Sequence, residues 1–341
     1  MPHNTLRDFV IRLERREDLT RAQASEFLAA MLADDATDAQ IAASLVALTA
    51  KGETAAELAG MADVLRKRAV RINSPYETFI DTAGTGSSRA KTFNVSTAAA
   101  FVIAGAGLPV AKHGNRAASS KSGSADVLTA LGVNVSALAS VSQSCLGDIA
   151  ICFMFAPLYH GATARVAAVR RQLGVSTSFN LLGPLSNPAG APRQIIGVWR
   201  RELVELLASV LAELGTERSW VVHGEDGLDE ITLTGKTFVA AAGHGKITTF
   251  EVQPTDFGLS VSSLDHLRGG DAEANARIIQ DVLSGKRRDE ARDLVVINSA
   301  AALLIGGKAS NGLEAATLAA ESIDSGVAQR KLEELIRATS S

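Results

Sequence analysis

From residue 78 onward the chain alternates short apolar runs, at 78–81, 108–111, 151–155, 195–199 and 220–223, with Ala-rich segments of helical length at 97–106, 124–131 and 202–214. Strands separated by such helices imply a largely parallel sheet covered on both faces. Ligands of such sheets bind beyond the strand C-termini, so the turns that follow the apolar runs are where chemistry is expected.

The first seventy residues follow a different grammar. Thr37 with Gln40 and Thr54 with Glu57 form capping boxes, and Gly52 stops the helix between them. Apolar residues at Ile41, Leu45, Val46 and Leu48, and again at Leu58, Met61 and Leu65, keep helical spacing, so short helices pack together there. The chain returns to helix from residue 272 to its end, and no internal repeat is visible.

Charge and cysteine usage narrow the function classes. Lys and Arg number 34 against 37 Asp and Glu, and aromatics are only 4% of the chain, so neither a basic field nor a stacking platform favours nucleic acid. Cys145 and Cys152 lie in apolar surroundings and read as reduced core residues. Residues 1–20 lack the apolar run of a signal peptide and no later stretch would span a bilayer, so a cytoplasmic location without membrane contact is expected.

Three turns carry the chemical signal. Gly84-Thr85-Gly86-Ser87-Ser88 follows the first run and leads to Thr92-Phe93-Asn94-Val95-Ser96-Thr97, where Ser96 or Thr97 has the plainer reading of a helix N-cap. Lys112-His113-Gly114-Asn115-Arg116 follows the second and continues into a hydroxyl-rich stretch from Ser119 to Ser124. Backbone amides, cations and hydroxyls gathered this way suit a phosphorylated ligand. His223-Gly224-Glu225-Asp226-Gly227-Leu228-Asp229-Glu230 brings acids to the same rim; beside a phosphate they need an intervening cation, and Mg²⁺ is the economical one. Tyr159-His160-Gly161, Arg170-Arg171 and the stretch from Asn180 to Pro188 suggest a second-substrate pocket. His3, His244 and His266 read as structural or exposed.

With these motifs, and with Leu267-Arg268-Gly269-Gly270-Asp271 and Asn298-Ser299-Ala300-Ala301, the chain resembles the anthranilate phosphoribosyltransferase family nearly end to end. The resemblance implies an α/β protein: a small all-helical domain hinged to a larger domain with a mostly parallel central sheet covered by helices, usually as a homodimer. The expected division is residues 1–72, completed by helices around 161–186, against residues 73–341. Anthranilate and phosphoribosyl pyrophosphate are the implied substrates and Mg²⁺ the implied cofactor. Gly84, Ser87, Ser88, Thr92, Asn94, Val95, Ser96, Thr97, the run Lys112, His113, Gly114, Asn115, Arg116, Ala117, Ala118, Ser119 and Ser120, and Ser124 are expected to hold the sugar donor. Ser96, Asp229 and Glu230 are the expected metal ligands. Asn115 and Arg170 are expected to face anthranilate, with His113, Tyr159 and His160 lining its approach, and Lys112 and Arg170 to carry the catalytic roles.

The chain departs from the family pattern in three places. Ser87-Ser88-Arg89 stands where Gly-Asp is common, Gly161-Ala162-Thr163 follows His160 where Pro-Ala-Met is common, and Ser176 replaces a common Arg. A relative using another acceptor, a pyrimidine nucleoside phosphorylase and a non-enzymatic nucleic-acid binder are the rival readings.

Overall fold

The computed structural model describes residues 5–86, 92–117, 121–263 and 267–340. Ser87, Ser88, Arg89, Ala118, Ser119, Ser120, His3 and His266 lie outside them.

Among the described residues seven strands, β1 (Ile80–Gly84), β2 (Val110–Gly114), β3 (Ile151–Phe155), β4 (Arg193–Gly197), β5 (Arg218–Gly224), β6 (Thr237–Gly243) and β7 (Lys246–Val252), form one sheet in the order β3-β2-β1-β4-β5-β6-β7. The run from β3 to β5 is parallel, as the alternating pattern requires. β6 and β7 add an antiparallel edge that the apolar pattern does not announce, because β6 is Ala-rich and β7 is exposed along nearly its whole length. The chain leaves β1 toward β2 on one side and meets β4 on the other, so the strand order reverses between β1 and β4.

Each sheet face carries its own core, because successive strand residues point to opposite sides. Ile195 and Val222 join the cluster built on the helices Val95–Gly105 and Glu290–Ile305. Their neighbours Ile196 and Val221 join the other, which runs through Leu207 and Leu211 into the N-terminal helices. Val166, Val169, Phe179, Leu182 and Leu185 belong to that second cluster, so the segment 164–185 packs with residues 5–68. Thr20, Thr37 and Thr54 each close a reciprocal capping box, and Gly52 ends its helix at φ 91°. The C-terminal region is helical at Ala272–Leu283, Glu290–Ile305, Gly312–Asp324 and Val327–Thr339. Cys145 and Cys152 are free and buried, and His244 sits in the β6–β7 turn at φ 49°. No helix among the described residues is long and apolar enough to cross a membrane.

Candidate active site

The C-terminal ends of β1, β2 and β5 open on one cleft of ≈ 360 Å³, lined among others by Gly84, Thr92, Asn94, Ser96, Thr97, Lys112, Asp229 and Glu230. Two glycines let its walls approach. A Cβ on Gly197, at the end of β4, would lie 1.5 Å from the Asp229 carbonyl oxygen, so the acidic turn can fold over this strand end only where the side chain is absent. Lys112, His113 and Gly114 are the last residues of β2 rather than a turn after it, and a Cβ on Gly114 would meet Ser124 Oγ at 2.1 Å, so the strand end can close onto the next helix only without a side chain. Asp126 fastens that loop by accepting the amides of Ala117 and Gly123, both at 2.9 Å, and Arg116 Nη1 at 2.9 Å.

Lys112 is buried under the cleft floor. Its Nζ donates to the Thr82 carbonyl and lies 3.4 Å from Ser96 Oγ. Burial lowers the ammonium to about 8, against the opposing pull of Asp81 and Glu230. Asp81, buried beneath it, is raised by desolvation to about 6. Glu230 Oε1 accepts the Ser96 amide at 3.3 Å, while its Oε2 is buried without a hydrogen-bond partner among the described residues. Desolvation, then the neighbouring Asp229, holds the Glu230 carboxyl well above the usual range.

Ser96 and Thr97 do not cap their helix. Asn94 occupies the N-cap position of Val95–Gly105, and its side chain turns away to Ser122 O at 3.3 Å and to the Asn275 amide at 3.0 Å. Ser96 Oγ is thereby left near Lys112, and Thr97 Oγ1 is buried with no hydrogen-bond partner among the described residues.

The opposite wall comes from the helices Ala164–Leu173 and Phe179–Leu185. Arg170 Nη2 donates to Asn180 Oδ1 at 2.9 Å, and the guanidinium carbon stands 5.5 Å from the Phe179 ring centre. Arg170 Nε is buried with no hydrogen-bond partner among the described residues. A planar cation beside an aromatic ring and an amide can receive an aromatic carboxylate.

His113, Gly114, Asn115, Arg116, Ala117 and Ser124 also line the cleft. Val95, Tyr159 and His160 do not. Val95 and Tyr159 are packed into the core, and the His160 ring sits behind His113, centroids 5.1 Å apart. The apolar sequence around Tyr159 draws its ring inward, which removes it from the approach expected for it. Gly161 and Ser176, two of the departures from the family pattern, are exposed and outside the lining.

Asp229, Glu230 and Ser96 reach the cleft together, yet no group of three or more His, Cys, Asp or Glu among the described residues forms a self-sufficient metal cage. The donor set still fits Mg²⁺. Two carboxylates, one with a buried unpartnered oxygen, match an ion that takes its remaining ligands from substrate phosphate and water. Phe179, Asn180, Gly183, Pro184, Ser122 and Gly197 are site residues not singled out individually by the sequence. The signals were the run from Phe179 to Leu185, a helix that carries Pro184 inside it, and the hydroxyl-rich stretch that holds Ser122; Gly197 had none.

The chain is similar to known proteins over nearly its whole length. The family models described as the glycosyl transferase family helical bundle domain and a/b domain match residues 7–69 and 76–329. The anthranilate phosphoribosyltransferase of Rhodopseudomonas palustris (strain BisB18) is 47% identical over 333 residues, covering 98% of each chain. That of Anaeromyxobacter sp. (strain K) is 50% identical over 323 residues, 95% of each. Among solved structures, anthranilate phosphoribosyltransferase from Thermus thermophilus superposes with a TM-score of 0.92 at 38% identity, covering 98% of this chain and 100% of that one. The Saccharomyces cerevisiae enzyme in complex with PRPP and Mg gives 0.90 at 30%, covering 99% and 98%.

Proposed function

Because this chain belongs to the anthranilate phosphoribosyltransferase family, we infer that its cleft transfers the 5-phosphoribosyl group from phosphoribosyl pyrophosphate to anthranilate, a step of tryptophan biosynthesis. The observation that carries the residue roles is the meeting of the Gly84, Lys112 and Asp229 turns at one cleft, with Arg170 across from them.

The reaction breaks the bond from the anomeric carbon to pyrophosphate and forms one to the arylamine nitrogen. Positive charge grows on the ribose and negative charge on the leaving group, so the protein's task is to hold the pyrophosphate and align the amine. Gly84, Asn94, Ser96 and Thr97, with the Lys112–Ser124 loop, cradle the donor. Ser96, Asp229 and Glu230 would hold Mg²⁺, which when bound supplies positive charge to the leaving pyrophosphate. Arg170 takes the acceptor carboxylate while Asn115 faces its amine. Burial, then His160, pushes His113 down to about 3, so it is a poor proton acceptor. An arylamine that is already neutral at physiological pH needs none as strong as an ordinary histidine.

The helical unit of residues 1–72 and 161–186 moving against the rest of residues 73–341 would shut the cleft. A homodimer, which light scattering tests, and a cytoplasmic location complete the proposal. Loss of anthranilate fluorescence on mixing with enzyme, Mg²⁺ and phosphoribosyl pyrophosphate tests the central claim. No loss with the wild-type protein, or equal loss with Asp229→Ala, would overturn it.

A further inference from the structure

Between β1 and β2 the parallel ladder stops almost as soon as it begins. The Ile80 amide donates to Pro109 O at 2.9 Å, and Ile80 matches Val110 in register. Beyond that point β1 continues in register with β4 as far as Gly84, and β2 with β3 as far as Gly114, but β1 and β2 no longer match each other.

Backbone groups that would have carried the next rungs bond to side chains instead. The His113 amide donates to Asp81 Oδ1 at 3.1 Å, Ala111 O accepts Asn187 Nδ2 at 2.9 Å, and Thr82 O accepts Lys112 Nζ. Asn187 Nδ2 also donates to Asp81 Oδ2 at 2.7 Å, and Asn187 Oδ1 accepts the Ala189 amide at 2.9 Å. Asp81, Lys112 and Asn187 are all buried. The strand ends therefore stand apart, with the Gly84 turn on one bank of the seam and the Lys112 turn on the other.

We propose that Asn187 is a positioning residue for the donor site: it holds the β1–β2 seam and so fixes Lys112–Arg116, the end of β2 and the loop that leaves it, relative to the end of β1 at Gly84. Its side chain is the one of its size that offers two N–H donors and an acceptor together, and all three are used. Asn187 belongs to the segment that leaves Phe179–Leu185 for β4, and the two ends of that segment are tied together by Gln194 Nε2 of β4, which donates to Pro184 O in the helix at 2.9 Å. The wall that carries Arg170 and Asn180 is thus joined to the donor side through a few residues. A residue serving only as fold cement would change the folded fraction and affect both substrates alike.

This inference rests on the donor site proposed above, and the experiment separates the two. Michaelis constants for both substrates, thermal midpoints and hydrogen exchange of the 110–116 amides are measured for the wild type, Asn187→Ala, Asn187→Asp, Asp81→Asn and the Asn187→Asp/Asp81→Asn double variant. The expected result is a donor KM raised about tenfold or more in the single variants with the acceptor KM within about twofold, faster exchange at 110–116, and partial recovery in the double variant, which restores one amide facing one carboxylate. A donor KM within about twofold of wild type in soluble, folded Asn187→Ala, or equal changes in both KM values, overturns the proposal. If Asn187→Ala does not fold, the same criterion applies to Asn187→Asp and the double variant. Should the wild type itself fail to turn over, the functional reading falls and exchange decides: protection at 110–116 unchanged by Asn187→Ala overturns the positioning role, and its loss supports it.

Discussion

Glu230 Oε1 accepts the backbone amide of Ser96 across 3.3 Å, tying the acidic turn after β5 to the first turn of the helix Val95–Gly105. The carboxylate that would hold a cation therefore already touches the helix start that would receive phosphate. With its second oxygen buried and unpartnered among the described residues, this group gains more from a divalent ion than an exposed acid would.

Replacing Glu230 by Gln should keep the acceptor for the Ser96 amide while removing a buried charge beside Asp229. The variant is expected to melt at or above the wild-type temperature without ligand, yet to bind phosphoribosyl pyrophosphate and Mg²⁺ on the order of tenfold more weakly. Calorimetric titration with and without a chelator checks it. Unchanged donor affinity would remove Glu230 from the metal site.

Arg170 sits beside Phe179 and on Asn180, across the cleft from the donor turns. Arg170→Ala is expected to raise the anthranilate KM roughly 10- to 100-fold, the worth of charge-assisted hydrogen bonds, and to leave the donor KM nearly unchanged. Arg170→Lys should recover little, because an ammonium lacks the planar fork. Steady-state kinetics in both substrates would show otherwise if the donor KM moved instead.

Gly197→Ala places a methyl group 1.5 Å from the Asp229 carbonyl oxygen, a backbone clash that no side-chain rotation relieves. It should destabilise the protein by roughly 3 kcal/mol and displace the acidic turn, raising the Mg²⁺ concentration needed for activity. Gly183→Ala, whose Cβ would meet open space, is the control and should retain stability. Equal melting temperatures for the two variants would contradict the argument.

His113 and His160 are held neutral by burial, both below the ordinary histidine value. A folded-state pKa lowered in this way contributes stability that is present above about pH 6.5, the unfolded value, and is lost as pH falls toward the folded one. Asp81 and Glu230, raised by desolvation, take up protons in the folded state and act in the opposite sense. The decisive quantity is thus a difference: between pH 7 and 5 the wild type should lose stability relative to His113→Gln, by up to about 1.4 kcal/mol per pH unit once below pH 6.5. Parallel melting curves against pH would show that His113 is not held neutral by the fold.

The fold and much of the site were legible along the chain for a local reason. Threonine boxes at Thr37 and Thr54 and apolar runs at strand period are patterns written in neighbouring residues, and the helices and the parallel strands followed from them, although β2 runs on through Lys112 to Gly114 where a turn was expected. The antiparallel β6–β7 edge was not legible, since an Ala-rich strand and an exposed one carry weak periodic signal. Tyr159 and His160 sat in a suggestive motif, but whether a ring faces a cleft or a core depends on what packs against it.

What the sequence alone determined is which segments become helix, strand and turn, and which of them carry phosphate-suited groups. The tertiary structure decided that β1 and β2 part after Val110 with Asn187 in the seam, that Asp229 crosses over Gly197, and which way burial moves the charges of Lys112, Asp81 and Glu230. Local propensity is set by adjacent residues, whereas desolvation and close approach are set by groups far apart in the chain that only the packed sheet brings together.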